Sequence, residues 1–368
     1  MKTSFRFELL AEDPSGARRG RLTTPHGTVE TPAFMPVGTQ GTVKAMTRGE
    51  LLRLDAEMIL CNAYHLYLRP GAELVARAGG LHGFINWPRP ILTDSGGYQI
   101  FSLESMRRVS EEGVTFRSHL DGSEHMLSPE KAIEVQQQLG ADVIMCFDQP
   151  VPYPSEHAMV VEATDRSDRW AERCRQVHPT GGPQALFGII QGGVNAELRR
   201  RSTECLLEIG FEGYALGGLS VGEPRAKMLE MTQLCTELLP REKPRYLMGV
   251  GTPADLVQSV ACGVDLFDCV LPTRLGRNGA VFVTGGRLNM KNAQYEDDFS
   301  PLDPKCDCSA CRHHTRAYLR HLYKAGEILA ARIATYHNLH HYFKLMATMR
   351  RQIEAGSFRD FLSSAVSD

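Results

Sequence analysis

Val264-Asp265-Leu266-Phe267-Asp268-Cys269-Val270-Leu271-Pro272-Thr273-Arg274 is an apolar run that stops on a carboxylate, and Leu275-Gly276-Arg277-Asn278-Gly279 follows it. An acidic group where a buried strand ends is costly unless it has chemistry or a partner. Arg274 and Arg277, on what reads as a glycine-containing loop, offer docking for phosphates or carboxylates. Position and electrostatics make Asp268 a candidate nucleophile beside an anion-binding loop, which suggests substitution chemistry on an anionic polymer.

Working outward, short apolar runs of the same kind recur at 33–37, 58–61, 91–93, 143–147, 186–190, 214–216, 246–250 and 264–267. Helical patterns lie between most of them. Ser128-Pro129-Glu130 supplies a capping serine and a proline at the first helical position, with Gly140 as a stop. Thr252-Pro253-Ala254-Asp255 repeats the device before a helix to about Cys262. Apolar strands alternating with helices describe a parallel sheet buried on both faces. The count is that of a closed (β/α)8 TIM barrel of the α/β class; an open doubly wound sheet is the competing arrangement. Near the start, residues 5–10 and 21–30, with turns at Gly16, Gly20 and Gly27, read as N-terminal antiparallel hairpins that cap one barrel mouth. Two segments interrupt the alternation. Residues 104–127 are polar and end in His119-Leu120-Asp121-Gly122-Ser123, which reads as a hairpin insertion after the third strand. A longer insertion, from 270 to about 311, carries the arginines and a cysteine cluster.

The chain has 368 residues, 42% of them hydrophobic, and a formal net charge of -2. That is material for one large core, and any nucleic-acid binding must use local rather than global positive charge. No apolar stretch approaches the roughly 20 residues of a membrane span. The start, Met1-Lys2-Thr3-Ser4-Phe5-Arg6, lacks the apolar segment of a secretion signal, so a cytoplasmic location with no membrane partner is expected. Cys61, Cys146, Cys205, Cys235, Cys262 and Cys269 lie singly in apolar surroundings and read as reduced core residues. Cys306, Cys308 and Cys311 cluster, which in a cytosolic chain points to metal. Tetrahedral zinc needs a fourth ligand, and His313, His314, His321, His337, His340 and His341 are the candidates. His313 and His314 are awkwardly close to Cys311; His337, returned by a following helix, is preferred. Three thiolates and one imidazole make a closed, structural Zn2+ site. Residues 305–351 hold nine Lys/Arg against two Asp/Glu, so this side is expected to face nucleic acid.

In a (β/α)8 barrel the active site gathers at the C-terminal ends of the strands. Asp94 follows the third run and precedes Ser95-Gly96-Gly97-Tyr98-Gln99; Asp148 follows the fourth; Gln191 follows the fifth and precedes Gly192-Gly193; Gly217-Gly218-Leu219 follows the sixth. With Asp268, polar groups at five matching positions converge if the barrel closes. Two carboxylates flanking a bond at a sugar carbon equip a retaining substitution, one attacking while the other handles the proton. Glycine pairs allow close backbone approach to a planar heterocycle. Asp148 and Gln191 suit the donor–acceptor edge of a base such as guanine, and Tyr98 and Met248 offer flat or polarisable faces to sandwich it.

At these residues the sequence resembles the queuine tRNA-ribosyltransferase (tRNA-guanine transglycosylase) family, over nearly the whole chain. The resemblance rests on Thr93-Asp94-Ser95-Gly96-Gly97-Tyr98-Gln99, Gly217-Gly218-Leu219-Ser220-Val221-Gly222-Glu223, Tyr246-Leu247-Met248-Gly249-Val250-Gly251, Phe267-Asp268-Cys269-Val270-Leu271-Pro272-Thr273-Arg274, and the spacing of Cys306, Cys308, Cys311 and His337. It implies one catalytic barrel over 1–368 with a zinc-binding, RNA-facing insertion over 270–340. The implied reaction exchanges guanine at the anticodon wobble position of tRNAs with a GUN anticodon, in queuosine biosynthesis. Asp268 matches the family's nucleophile, which forms a covalent intermediate with the ribose, and Asp94 the residue that moves protons on departing and incoming bases. Asp148, Gln191 and Gly218 match base-binding positions. Ser95, Gly96, Gly97 and Tyr98 line the implied pocket, joined in substrate binding by Leu219 and Met248. Gly249, Val250, Gly251, Thr252, Pro253, Ala254 and Asp255 match one RNA-contacting stretch; Thr273, Arg274, Leu275, Gly276 and Arg277 match another. The family's zinc ligands fall on the three cysteines and His337, and its members act as homodimers.

The departures bear on the incoming base. Bacterial members usually show Asp-Glu-Cys where this chain has Asp148-Gln149-Pro150, and commonly alanine where it has Ser220. Val221 keeps the bulky bacterial residue in place of the glycine that admits queuine. The expected base is 7-aminomethyl-7-deazaguanine, with queuine salvage as the alternative; the archaeal 7-cyano base is disfavoured because no added RNA-binding domain follows. A non-catalytic tRNA-binding subunit is opposed by the presence of Asp94 and Asp268 together. A zinc hydrolase is opposed by a thiolate-rich ligand set remote from the strand ends.

Overall fold

The computed structural model describes residues 5–102, 107–178 and 180–366. Eight strands form a closed barrel: Ala33–Gly38, Ile59–Cys61, Ile91–Thr93, Val143–Met145, Ala185–Ile190, Gly213–Leu216, Arg245–Leu247 and Leu266–Cys269. Every pairing is parallel, and the ring closes where Asp268 of the eighth strand pairs with Met35 of the first. Both faces are apolar because successive side chains point opposite ways. Met35, Leu60, Leu92, Val143, Phe187, Ala215, Tyr246 and Leu266 fill the interior. Their neighbours Phe34, Ile59, Ile91, Ile144, Leu186, Tyr214, Leu247 and Phe267 pack outward into the main core. The expected caps are present: Ser128 accepts from Lys131 N–H and Thr252 from Asp255 N–H, each followed by proline in the first turn.

The N-terminal hairpins form a three-stranded antiparallel sheet of Arg6–Glu12, Arg18–Thr24 and Gly27–Thr31. Leu22 and Val29 enter the barrel interior, and Phe5 meets Phe187 edge-on at 5.8 Å. Arg18 pairs with Asp265, just ahead of the eighth strand, at 3.3 Å. The sheet therefore plugs the mouth where strands begin and leaves the opposite mouth free for a site.

Five expectations need correction. Gly20 is no turn but lies inside the strand Arg18–Thr24, where its N–H donates to Thr31 Oγ1. The fourth strand stops at Met145, short of 147, where the Phe147 N–H turns to Cys174 Sγ. The seventh strand stops at Leu247, short of 250, because Gly249 takes φ +74 and turns its N–H to the Asp268 carboxylate. The eighth begins at Leu266, since Val264 N–H caps the preceding helix on Ser259 O, and it runs one residue past Asp268 to Cys269. The arginine loop is a helix, Leu271–Asn278, with proline in its first turn and Gly279 in the left-handed region at its end. Proline and glycine act there as a helix start and stop.

The insertion after the third strand is a three-stranded antiparallel sheet, Arg107–Val109, Val114–Arg117 and Glu124–Leu127; its expected start at Glu104 lies outside the described residues. Beyond the helix Leu271–Asn278 come the hairpin Ala280–Val283 and Gly286–Asn289, the helices Ser309–His313 and Arg316–Ala325, and the long helix Ile328–Glu354. The long helix runs unbroken through position 340 and packs on both Leu271–Asn278 and the first barrel strand. Tyr342 meets Phe34 there at 4.8 Å.

Candidate active site

The open mouth holds a cavity of about 340 Å3. Its walls come from the ends of seven strands and include Asn62, Asp94, Ser95, Gly96, Tyr98, Asp148, Gly218, Leu219, Tyr246, Met248, Gly249 and Asp268. Barrel closure thus gathers residues more than 170 positions apart, since each strand end delivers its next residue to one rim.

Asp268 is anchored through one oxygen. Tyr246 Oη donates to Oδ1 at 2.6 Å and Gly249 N–H donates to the same atom at 2.8 Å. Oδ2 has no hydrogen-bond partner among the described residues. Burial raises the carboxyl above the usual aspartate value, and the two donors oppose that rise. The result is an oriented, partly desolvated carboxylate with one free oxygen, the form a covalent nucleophile needs.

Asp94 is held by Asn62, which donates from Nδ2 to Oδ2, and by Ala63 N–H, 2.8 Å from Oδ1. Burial pushes it up to about 6 against those donors, and the nearby Asp268 charge adds to the rise. Asp148 is likewise pushed up to about 6 by burial, opposed by Gln191 and Ser95 and assisted by Asp94. Gln191 Nε2 donates to its Oδ2 at 2.7 Å and Ser95 Oγ to its Oδ1 at 3.1 Å. Carboxyls titrating near 6 can give and take protons close to neutral pH. Three carboxyl groups on three strand ends line one cavity, and one of them has a free oxygen.

A model of the family described as queuine tRNA-ribosyltransferase matches residues 13–368. The chain is 57% identical to the queuine tRNA-ribosyltransferase of Halothermothrix orenii over 359 residues, covering 97% of this chain and 96% of that relative. It is 58% identical to that of Pelotomaculum thermopropionicum over 356 residues, 96% of each chain. The protein so named in Acetivibrio thermocellus is 54% identical over 360 residues, 98% of this chain and 96% of the relative. The chain belongs to the queuine tRNA-ribosyltransferase family.

Of the pocket residues that the family resemblance implies, Gly97 and Gln191 do not line the cavity. Both lie against Asp148. A side chain at Gly97 would place Cβ 2.7 Å from Asp148 O, and Gln191 is 2% exposed. Gly218 is required on two counts: φ is +62, and a Cβ would lie 2.4 Å from Gln191 Oε1. Tyr98, 63% exposed, stands at the rim while Met248 is half-buried in the wall.

Of the two implied RNA-contacting stretches only Gly249 lines the cavity, and the rest divide by burial. Val250 and Gly251 are buried; a Cβ on Gly251 would collide with Cys269 at 2.3 Å. Thr252 is exposed, with Pro253, Ala254 and Asp255 half-buried. On the helix Leu271–Asn278, Thr273 and Gly276 face inward, Arg274 is exposed, and Leu275 and Arg277 are half-buried. Helical periodicity therefore leaves the two arginines on the accessible side.

Cys306, Cys308 and Cys311 bring their Sγ atoms to 3.8, 3.4 and 3.3 Å from His337 Nδ1. A tetrahedral metal bound at about 2.3 Å to sulfur and about 2.0 Å to nitrogen has sulfur–nitrogen edges of about 3.5 Å. The four residues therefore fit a metal ion. His337 Nε2 lies 2.5 Å from Phe282 O; donating there leaves the Nδ1 lone pair for the thiolate side. The cluster packs into its own small core with Val281, Met290, Leu302 and Leu319, apart from the catalytic mouth.

Sequence reasoning missed Asn62, Tyr246 and Glu223. Asn62 directly follows the second strand, so the strand-end rule that found Asp94 would have found it. Glu223 carries no such mark; its carboxylate accepts from Ser220 N–H at 2.5 Å and Val221 N–H at 2.9 Å, bracing the glycine loop. Tyr246 reads as one more apolar strand residue, and nothing local signals its hydroxyl's partner.

Proposed function

We propose that this protein is a tRNA-guanine transglycosylase that exchanges guanine at the wobble position of GUN-anticodon tRNAs for 7-aminomethyl-7-deazaguanine, in queuosine biosynthesis. One observation carries the reading: Asp268, with Oδ2 free, shares a cavity with Asp94 and Asp148, both pushed up to about 6. In the first step Asp268 Oδ2 attacks the ribose anomeric carbon, the bond to guanine N9 breaks, and guanine leaves with a proton passed through Asp94. In the second step Asp94 takes the N9 proton of the incoming base, N9 attacks the same carbon, and the Asp268 ester bond breaks. Asp148 and the Gly218 backbone meet the base edge; Tyr98 and Met248 flank it. Two displacements retain configuration, and a closed pocket filled by one base keeps water from the glycosyl ester.

The anticodon base must leave its stack to reach this depth, as bases do in enzymes of this kind. Thr252, Arg274 and Arg277 stand on the accessible side for the RNA backbone. Val221, Pro150 and Ser220 line the cavity where a substituent on the base would project. The bulk of Val221 supports the aminomethyl base over queuine. Zn2+ suits the Cys306, Cys308, Cys311 and His337 set, where it would fold the insertion without entering the reaction. The family's homodimer and a cytoplasmic location complete the reading.

Asp268→Ala is expected to abolish a denaturation-resistant tRNA–protein adduct that wild type forms when the second base is withheld; an undiminished adduct would overturn the nucleophile assignment. Competing the three deazaguanines against labelled guanine already in tRNA identifies the incoming base, and preferential use of queuine would replace the aminomethyl reading.

A further inference from the structure

Arg199, on the helix Ala196–Ile209, is 0% exposed. Its guanidinium meets main-chain carbonyls instead of a carboxylate. Nε donates to Gly193 O at 2.8 Å, Nη1 to Ile190 O at 2.9 Å and Nη2 to Gly217 O at 2.8 Å. Ile190 ends the fifth barrel strand, and Gly217 follows the sixth. One rigid fork therefore ties together the two segments that carry Gln191 and Gly218. Ser202, one turn along the same helix and also 0% exposed, accepts Gln191 N–H at 3.3 Å and donates to Asp168 at 2.7 Å.

Burying a cation without a direct ion pair is expensive, and apolar replacements often serve packing as well or better. Its value here lies in direction. In a planar trans peptide the N–H points opposite to the C=O. Arg199 draws the Gly217 carbonyl outward to the helix, so the Gly218 N–H of the same peptide faces the cavity that both glycines line. That N–H has no protein acceptor among the described residues. Gln191 closes the arrangement, its Oε1 within 2.4 Å of where a Cβ on Gly218 would stand and its Nε2 on Asp148.

We propose that Arg199 is a positioning residue of the base site, which grips the carbonyls of Ile190, Gly193 and Gly217 and thereby fixes the Gly218 N–H as a donor to a ring carbonyl of a guanine-like base. It touches neither base nor ribose. The inference rests on the base-exchange reading.

The test measures exchange of labelled guanine into tRNA by wild type, Arg199→Lys and Arg199→Met, with separate KM values for guanine and tRNA and a thermal melt of each protein. Misplacing one donor is expected to raise the guanine KM on the order of tenfold to a hundredfold. The KM for tRNA should stay unchanged, and lysine, a charged but unforked donor, should restore part of the loss. Three results would overturn the role: an unchanged guanine KM in a folded variant, a parallel rise in both KM values, or failure of both variants to fold at any temperature. A wild-type protein that exchanges no guanine would instead overturn the base-exchange reading, and this role with it.

Discussion

Tyr246 Oη and Asp268 Oδ1 lie 2.6 Å apart across neighbouring barrel strands, and Gly249 N–H shares that oxygen. The free oxygen of the carboxylate is thereby aimed by the anchored one. Tyr246→Phe removes a charge-assisted hydrogen bond, which is expected to slow single-turnover adduct formation by about tenfold to a hundredfold. The lost donor also lets burial raise the Asp268 carboxyl further. The acid limb of the rate profile should then move to higher pH, because attack needs the ionised form. An unshifted limb with a wild-type rate would show that the phenol does not orient the nucleophile.

Asp148 is raised from 3.8 to about 6 by burial. The folded state thus holds this proton more tightly than the unfolded chain does. Its contribution to stability is fully present below the unfolded value and is lost as pH rises through about 6. Asp148→Asn cannot ionise, so it should match wild type at acid pH and exceed it by up to about 3 kcal/mol at pH 8. Base exchange should fall at the same time. Thermal melts at several pH values decide this, and parallel stability curves would contradict it.

Arg274 and Gly276 lie two residues apart and should behave differently. Arg274 is exposed, so Arg274→Ala should weaken tRNA binding and lower the slope of log affinity against log salt by about 1. Gly276 abuts the long helix, where a Cβ would sit 2.7 Å from Thr335 Oγ1 and 2.8 Å from its backbone nitrogen. Gly276→Ala should therefore cost about 1–3 kcal/mol of stability and leave the salt slope as in wild type. Filter binding across a salt series, set beside melting curves, separates the two. A Gly276 effect on the slope alone would mean that this face of the helix meets RNA.

The purified protein should carry one tightly held zinc per chain. Cys308→Ser, at a buried member of the cysteine–histidine cluster, is expected to lose the metal and to destabilise the segment around residues 302–325 by at least about 3 kcal/mol. Metal analysis with hydrogen exchange reads both. The barrel strands should keep their protection, because the helix bearing His337 also packs on the first strand. Full metal content in Cys308→Ser would remove this residue from the ligand set.

Much of the barrel was legible because a strand buried on both faces must be apolar along its length. The runs at 91–93 and 186–190 lie within a residue of the observed strands. The seventh and eighth were misjudged at their ends, where Gly249 and Asp265 spend backbone and side-chain hydrogen bonds on partners outside their own runs. The helix Leu271–Asn278 read as a loop because its proline and glycines are also turn residues; only packing against the long helix separates the two readings. Asp94, Asp148 and Asp268 were visible as charges at strand ends. Gln191 was visible too, though not that its amide donates to Asp148.

The sequence by itself determined the number and spacing of the strands, the carboxylates at their ends and the three clustered cysteines. These are local patterns, written in the order of residues along the chain. Tertiary structure decided which oxygen of Asp268 is free, that Asn62 and Tyr246 serve Asp94 and Asp268, that Arg199 grips two strand ends, and that Nδ1 is the His337 nitrogen turned toward the cysteines. Those facts depend on where barrel closure and the rotation of one long helix bring distant side chains, a geometry that no stretch of residues contains alone.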